Sequence, residues 1–330
     1  EAVFEEMNIK KEIFKKIDDL AKDGAILASN TSTLDIDEIA SVTKRPGDVV
    51  GTHFFSPANV MRLLEIVRGI ETKIDVLATL MQLAKKIAKV GIIAGNCDGF
   101  IGNRMFHAYI TQAHLLVEEG ATPEQVDIAA ESWGWAMGPF AVNDLAGNDV
   151  GWRIRKGKGK DYYKGKKYAS TVADRLCELG RFGQKVGKGF YTYDPQTRRR
   201  QSDPEVTKII DDVRREKGIN PRVIDNDEIL SRLHGALVIE GTRILEEGHA
   251  LRSSDIDVCY ISGYGFPAHR GGPMWQADKI GIDKFAQQIA KHRNADVLTW
   301  PESQLMNTLA DSKEKIANYV PDTSNPSKRT

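Results

Sequence analysis

In residues 1–95, short apolar runs alternate with stretches of helical periodicity. Residues 7–23 carry Ile and Leu at helical spacing and end at Gly24, and residues 72–89 show the same pattern. Four apolar runs predict strands, the first two typical of buried strands in a parallel sheet: residues 25–30, 49–55, 63–67 and 90–94. Because strand and helix alternate, we expect residues 1–96 to form part of an α/β sheet domain.

From Asp98 the pattern becomes helical and predicts an all-α region that reaches Gly180. The glycine-rich residues 181–193 are typical of a loop that closes this domain. Residues 194–224 are polar, with an arginine run and three prolines, and predict a linker or surface excursion. The polar residues 321–330 predict a frayed tail.

The helical region contains an internal repeat. At an offset of 128 that rises to 134, four segments reappear: Val117–Gly120 as Leu245–Gly248, Val126–Ile128 as Ile256–Val258, Gly138–Pro139 as Gly272–Pro273, and Asp144–Gly147 as Asp278–Gly281. Residues 97–193 and 225–320 are therefore predicted to be two copies of one helical domain. Asn103 falls on Ser231, which suggests that the first copy carries the site and that the second is degenerate.

Composition narrows the class of protein. The 330 residues include 46 Lys and Arg and 46 Asp and Glu, so the formal net charge is zero. The chain as a whole therefore has no electrostatic attraction for nucleic acid. The three cysteines are far apart and predict neither a disulfide framework nor a metal site. No apolar run approaches the roughly 20 residues of a membrane span. The basic stretch 153–167, with its tyrosines, predicts a solvated loop or, alternatively, a contact with ligand phosphates. The chain begins mid-pattern and without Met, so we expect a piece of a longer protein.

Polar residues at the ends of predicted strands are the candidates for chemistry. His53 ends one strand and Glu65 interrupts another apolar run, so the pair predicts an imidazole oriented by a buried carboxylate, or a Glu that faces water. The run 29–33 offers ligand donors or a helix cap. Asn103 is either a core amide or a substrate ligand.

Five motifs in order resemble the 3-hydroxyacyl-CoA dehydrogenase family. They are Ser-Asn-Thr-Ser (29–32), His-Phe-Phe-Ser-Pro (53–57) with Glu65, Asp-Gly-Phe-Ile-Gly-Asn-Arg (98–104), Met-Gly-Pro-Phe (137–140) and Gly-Lys-Gly-Phe-Tyr (187–191). The second helical copy is similar to that of the multifunctional β-oxidation enzymes, namely the peroxisomal bifunctional type and the bacterial fatty acid oxidation complex α subunit. Ser56 leans toward the peroxisomal type.

The resemblance implies a role for each matching residue. His53 would be the catalytic base and Glu65 its orienting carboxylate. Substrate binding is implied for three residues and NAD binding for six: the first set is Ser32, Asn103 and Tyr264, and the second is Ala2, Glu5, Lys10, Asn30, Ser32 and Ser56. No metal is implied.

The implied fold is the C-terminal half of a Rossmann-like NAD-binding domain followed by two duplicated helical domains. The implied reaction is the NAD-dependent oxidation of (S)-3-hydroxyacyl-CoA to 3-ketoacyl-CoA, in a multifunctional enzyme that also hydrates enoyl-CoA. The compartment would be the peroxisome or the bacterial cytoplasm. The duplication predicts a monomer, because one copy can pack on the other as a second subunit would.

One family feature is absent from the sequence: no Gly-x-Gly-x-x-Gly follows a predicted strand. We therefore expect these 330 residues alone to bind NAD poorly. Two alternatives remain open at this stage. One is a dehydrogenase of small hydroxy acids that uses a Lys base, and the other is a catalytically incomplete fragment that binds acyl-CoA or serves in assembly.

Overall fold

The computed structural model describes residues 1–159 and 168–321. Most of the predicted tail and residues 160–167 of the basic stretch lie outside these ranges. The described chain forms two compact units. Unit 1 comprises residues 1–106, 238–286 and 302–321, and unit 2 comprises residues 107–237 and 287–301.

Unit 1 contains a four-stranded sheet in the order β1-β2-β3-β4. The strands are Leu27–Ser29, Val49–Phe54, Leu63–Arg68 and Val90–Gly95. Strand pairs β1–β2 and β3–β4 are parallel, but β2 and β3 are antiparallel. The run at 49–55 was expected to form a buried strand of a parallel sheet; β2 is buried and parallel to β1, but its pairing with β3 is antiparallel, so the sheet is mixed. Only residues 55–62 connect β2 to β3, and a parallel crossover needs a dozen or more residues.

The predicted helices of unit 1 pack on this sheet. Helix α1 (Met7–Leu20) begins at Glu6, whose side chain accepts hydrogen bonds from two backbone amides. Helix α3 (Ile74–Lys86) presents an apolar stripe that packs against the β2 and β3 side chains Val50, Leu64 and Ile66. Helix α2 (Ile36–Ala40) covers Gly51, where a Cβ would lie 2.7 Å from that of Val67 and 2.9 Å from Ile36 Cδ1.

Helices make up most of the remaining chain. They are α4 (Gly102–Glu119), α5 (Pro123–Trp133), α6 (Pro139–Ala146), α7 (Asn148–Lys158), α8 (Thr171–Glu178), α9 (Pro204–Glu216), α10 (Asn226–Glu246), α11 (Ser253–Gly263), α12 (Pro273–Ile280), α13 (Ile282–Ala295) and α14 (Gln304–Ser312). A short antiparallel pair joins β5 (Thr192–Tyr193) to β6 (Arg200–Gln201) in unit 2. No described helix is long and apolar enough to cross a membrane.

Residues 194–224, expected to be a linker or surface excursion, contain β6 and helix α9. Asp203 caps α9, Pro204 opens it, and Val206 begins a buried apolar stripe that ends at Val213. The arginine run is not wholly solvated either, because Arg200 makes a bidentate ion pair with Glu131. The overall polarity of the segment concealed this amphipathic pattern.

Equivalent positions of the sequence repeat make equivalent contacts, each within one unit. In unit 2, the Asp127 carboxylate accepts hydrogen bonds from the first amides of α6, and that of Asp144 accepts them from residues 190 and 191. In unit 1, Asp257 accepts them from the first amides of α12, and Asp278 accepts them from residues 316 and 317.

Two arginines that differ by 128 in number also make matching ion pairs. Arg104 of unit 1 binds Glu247 with both terminal nitrogens and donates from Nε to Glu240 at 2.6 Å. In unit 2, Arg232 binds Glu119 with both terminal nitrogens and donates from Nε to Gln112 at 3.0 Å. The acceptors are themselves offset by 128, so each arginine binds acceptors at positions that the predicted repeat assigns to the other copy.

Candidate active site

A buried imidazole–carboxylate pair lies on the antiparallel strands of unit 1. His53 and Glu65 are direct cross-strand partners in the β2–β3 register. Such partners project from the same face of a sheet, and the Nδ1 atom of His53 lies 2.6 Å from Oε2 of Glu65. His53 is 6% exposed and Glu65 is fully buried. The pairing predicted from the sequence is therefore present, and the alternative of a Glu that faces water is wrong.

The second oxygen of Glu65 is also occupied. Its Oε1 atom accepts hydrogen bonds from the backbone amides of Ile101 and Gly102, at 3.2 and 3.0 Å, where α4 begins. Both oxygens of a buried carboxylate are thus satisfied, as such burial requires. Because Nδ1 of His53 donates to Glu65, Nε2 is the ring nitrogen that can accept a proton. Sequence reasoning missed this contact with the backbone amides. The usable signal is that the start of a helix offers backbone amides to a buried carboxylate.

Asn103 lies in the first turn of α4 and meets the side chain of the residue that follows α11. The hydroxyl of Tyr264 donates to Oδ1 of Asn103 at 2.7 Å. The Tyr264 ring lies edge-on to Phe55, with ring centroids 5.4 Å apart, and Phe55 lies 4.3 Å from the His53 ring. The sequence-predicted residues His53, Asn103 and Tyr264 are therefore close neighbours around one aromatic cluster.

A second predicted group surrounds the segment after β1. Oε1 of Glu5 accepts hydrogen bonds from the backbone amide and the hydroxyl of Ser32, at 2.8 and 3.2 Å. Lys10 is fully buried, with Nζ 2.9 Å from Glu1, 3.4 Å from Glu5 and 2.9 Å from the Asn30 carbonyl. Lys10 thus binds protein groups in this structure, and its predicted contact with NAD stays a prediction.

Asn30 connects the second group to the strand that carries His53. Its Oδ1 accepts a hydrogen bond from the backbone amide of Phe54 at 3.1 Å, and its backbone amide donates to the Glu1 carbonyl. The Glu1 amine in turn donates to the Ala28 carbonyl. Ala2 and Ser56, the other predicted NAD contacts, are exposed.

Comparison with known proteins identifies the family of this chain. Residues 1–97 match the 3-hydroxyacyl-CoA dehydrogenase NAD binding domain, and residues 99–193 match the 3-hydroxyacyl-CoA dehydrogenase C-terminal domain. The crystal structure of the dehydrogenase part of multifunctional enzyme 1 from C. elegans is 35% identical, with a TM-score of 0.65, over 93% of this chain and 70% of that one. The chain belongs to the 3-hydroxyacyl-CoA dehydrogenase family.

Within this family, long relatives match the chain over most of its length. The peroxisomal bifunctional enzyme of Cavia porcellus is 48% identical over 310 residues, which are 90% of this chain and 43% of that protein. The human peroxisomal bifunctional enzyme is 46% identical over 323 residues, 94% of this chain and 45% of that protein. The chain therefore spans less than half the length of these curated relatives.

The chemistry available to this family member is acid–base chemistry. His53 can accept a proton at Nε2, and the Asn103 amide can donate to an oxygen. Burial raises the pKa of the nearby Cys97 thiol to about 11, so Cys97 carries its proton at neutral pH. Among residues 1–159 and 168–321, no group of three His, Cys, Asp or Glu side chains is arranged to hold a metal ion.

Proposed function

We propose that this chain is the dehydrogenase part of a β-oxidation enzyme that oxidises (S)-3-hydroxyacyl-CoA to 3-ketoacyl-CoA with NAD. The observation that carries the proposal is the 2.6 Å contact between His53 Nδ1 and Glu65 Oε2. Oxidation of a secondary alcohol needs a base within hydrogen-bond reach of the hydroxyl. A buried carboxylate that fixes the imidazole in one tautomer supplies that base at Nε2.

Each residue of the proposed site has its own role in this reaction. His53 takes the proton of the 3-hydroxyl at Nε2 as the C3–H bond is lost, and Glu65 stabilises the imidazolium that results. The side-chain amide of Asn103 donates to the 3-oxygen and fixes the direction in which C3 faces. In the reverse reaction the same two groups polarise the ketone. Ser32, held by Glu5, is the further group that we assign to the substrate oxygen.

The residues fit NAD at one end of that cofactor. When bound, NAD accepts the hydride from C3. Asn30, Ser32 and Ser56 follow strands β1 and β2 at their carboxyl ends, where nucleotides bind in open α/β sheets. Glu5 would hold the cofactor together with Ala2, and Lys10 would act by neutralising Glu5 and Glu1. The glycine-rich turn that receives a pyrophosphate is absent from the sequence.

We further infer that the full protein is multifunctional, carries enoyl-CoA hydratase activity and is peroxisomal, since the long relatives are peroxisomal bifunctional enzymes. The alternative location is the cytoplasm of a bacterium. The duplicated helical domain, 97–193 and 225–320, belongs to this proposal. Its support is the exchange of ion pairs by Arg104 and Arg232, which is what a two-fold contact between equal subunits produces. A monomeric dehydrogenase part follows from it.

The test is NADH oxidation with acetoacetyl-CoA. The full-length protein that carries this sequence should show it, and His53→Gln should abolish it while acetoacetyl-CoA still binds. The exposed His269 provides the matched control, because its imidazole takes part in none of the contacts described for the proposed site, and His269→Gln should retain full activity. Equal activity of the wild type and His53→Gln would refute the proposal. Acetoacetyl-CoA binding without turnover by the full-length protein would instead favour an acyl-CoA-binding module.

A further inference from the structure

Packing against neighbouring rings fixes the position of the Tyr264 side chain and of its hydroxyl. The ring stacks on Tyr260, with centroids 4.8 Å apart and an interplanar angle of 19°, and it meets Phe55 edge-on. At the preceding residue, a Cβ on Gly263 would overlap Leu63 of β3, so the end of α11 is seated directly on the sheet. The Tyr264 hydroxyl therefore reaches Asn103 from a closely packed ring.

The first turn of α4 is shaped to receive this ring. A Cβ at Gly102 would lie 2.5 Å from the Tyr264 hydroxyl oxygen and closer still to the ring. The Gly102 amide donates to Glu65, and its carbonyl accepts from the hydroxyl of Tyr260 at 3.2 Å. Gly102 thus lies between the Glu65 carboxylate, which binds His53, and Tyr264, which binds Asn103.

The hydrogen-bond capacity of the two groups decides what Tyr264 can do. A phenol has one proton, and the Tyr264 proton is donated to Oδ1 of Asn103. While that bond is made, Tyr264 cannot donate to a ligand. The oxygen of the Asn103 side-chain amide is occupied by this bond, but its Nδ2 group retains two N–H donors. A substrate hydroxyl or carbonyl oxygen has the lone pairs that such donors require.

We propose that Tyr264 is a positioning residue that acts through Asn103, holding the Asn103 amide so that its N–H donors point at the 3-oxygen of the acyl-CoA substrate. The proposal rests on the proposed function and replaces the expected direct contact between Tyr264 and the substrate. It also gives α11, in the second sequence copy, a part in a site whose base lies on the sheet.

Protonation of the phenol agrees with this role. Burial of the hydroxyl raises the pKa of Tyr264 well above its ordinary value, and the nearby Glu65 charge adds to the effect. The phenol therefore keeps its proton, and hence its bond to Asn103, at neutral pH.

A pair of ligands tests the proposal by binding alone. Acetoacetyl-CoA carries the 3-oxygen, and butyryl-CoA has the same chain length without it. By calorimetry, Tyr264→Phe should bind acetoacetyl-CoA about 10-fold more weakly than the wild type, the effect of one hydrogen bond, and should bind butyryl-CoA equally well. The matched control is Tyr191→Phe, which removes the hydroxyl that donates to Asp127 in unit 2 and should leave both affinities unchanged.

A double-mutant cycle separates positioning from direct contact. If Tyr264 acts through Asn103, then Tyr264→Phe combined with Asn103→Ala should bind acetoacetyl-CoA as Asn103→Ala does alone. Losses that multiply, or a Tyr264→Phe loss that is equal for both ligands, would overturn the proposal. A wild type that binds the two ligands equally would refute the assigned contact between Asn103 and the 3-oxygen, and this role with it, whereas NADH oxidation tests the proposed function separately. A wild type that discriminates, beside an unchanged Tyr264→Phe, would refute this role only.

Discussion

The carboxylate of Glu65 accepts a hydrogen bond from the backbone amide of Gly102 at 3.0 Å while its other oxygen binds His53. The proposed base and the residue next to Asn103 are therefore attached to the same side chain. A change at Glu65 should affect both the tautomer of His53 and the start of α4.

Replacement of Glu65 by Gln separates charge from shape. The amide oxygen can still accept from Ile101 and Gly102, but the amide nitrogen then faces Nδ1 of His53 as a donor. His53 should adopt the tautomer with its proton on Nε2, which cannot act as the base. We expect kcat of the full-length protein to fall by about 10³-fold, with KM little changed.

Nitrogen-15 NMR of the His53 ring in this chain reports that tautomer directly. A proton should be seen on Nδ1 in the wild type and on Nε2 in Glu65→Gln. The exposed Glu12→Gln is the control and should leave the ring signals unchanged. An Nδ1 proton retained in Glu65→Gln would contradict the expectation.

Gly102→Ala tests whether packing against Tyr264 outweighs helix propensity. Propensity alone favours Ala over Gly in a helix by about 1 kcal/mol. The added Cβ would overlap the Tyr264 ring, so we expect the free energy of unfolding to fall by about 1–3 kcal/mol instead.

The control for this substitution is Gly157→Ala in α7, where nothing lies within 4 Å of the added Cβ. This variant should stabilise the protein slightly. Urea unfolding measures the free energy of unfolding of both variants. An increase for Gly102→Ala would show that the added Cβ fits beside the Tyr264 ring.

The exchanged ion pairs should couple strongly. A cycle of Arg104→Met with Glu247→Gln, measured by urea unfolding, should give a coupling energy of about 1–3 kcal/mol, because the pair is bidentate and largely enclosed. The equivalent cycle of Arg232→Met with Glu119→Gln should give a similar value. The exposed pair of Lys44 and Asp19 serves as the reference and should show no measurable coupling. Equal coupling in all three would indicate that burial adds nothing.

His114 should make unit 2 sensitive to acid. Its Nδ1 has no hydrogen-bond partner among the described residues, and its ring contacts Phe140 and Phe190. Burial, together with the charges of Arg155 and Lys217, lowers its pKa to about 3. Between pH 6.5 and 3 the unfolded chain binds the extra proton, so stability is lost as the pH falls, by at most about 1.4 kcal/mol per pH unit.

His114→Phe removes this titration. The difference in unfolding free energy between the wild type and His114→Phe should therefore change with pH below 6.5 and be constant above it. His269→Gln, at an exposed position, is the control. Parallel acid profiles for the wild type and His114→Phe would contradict the assignment.

Local pattern was sufficient for much of unit 1. The apolar runs predicted four strands to within two residues, and the helical stripes predicted α1 and α3. The direction of β2 relative to β3 was not encoded in either run. It is set by the short connection between them, which permits only an antiparallel return.

The site was predicted in part. The apolar neighbours of Glu65 signalled a buried carboxylate that needs a partner, and His53 was the available one. The enclosure of Lys10 and the bond from Tyr264 to Asn103 could not be predicted, because both depend on contacts between residues distant in sequence. Helix α9 was missed for a different reason: a composition average conceals a one-sided apolar stripe.

The β2–β3 register has a consequence for how the pair at its centre comes into being. Slippage by one residue would send Glu65 to the opposite face from His53, so no partly correct version of the contact exists. The pair is assembled by chain folding and does not wait for a ligand to bring it together. Inactivation by heat and melting of this sheet should therefore be one and the same event.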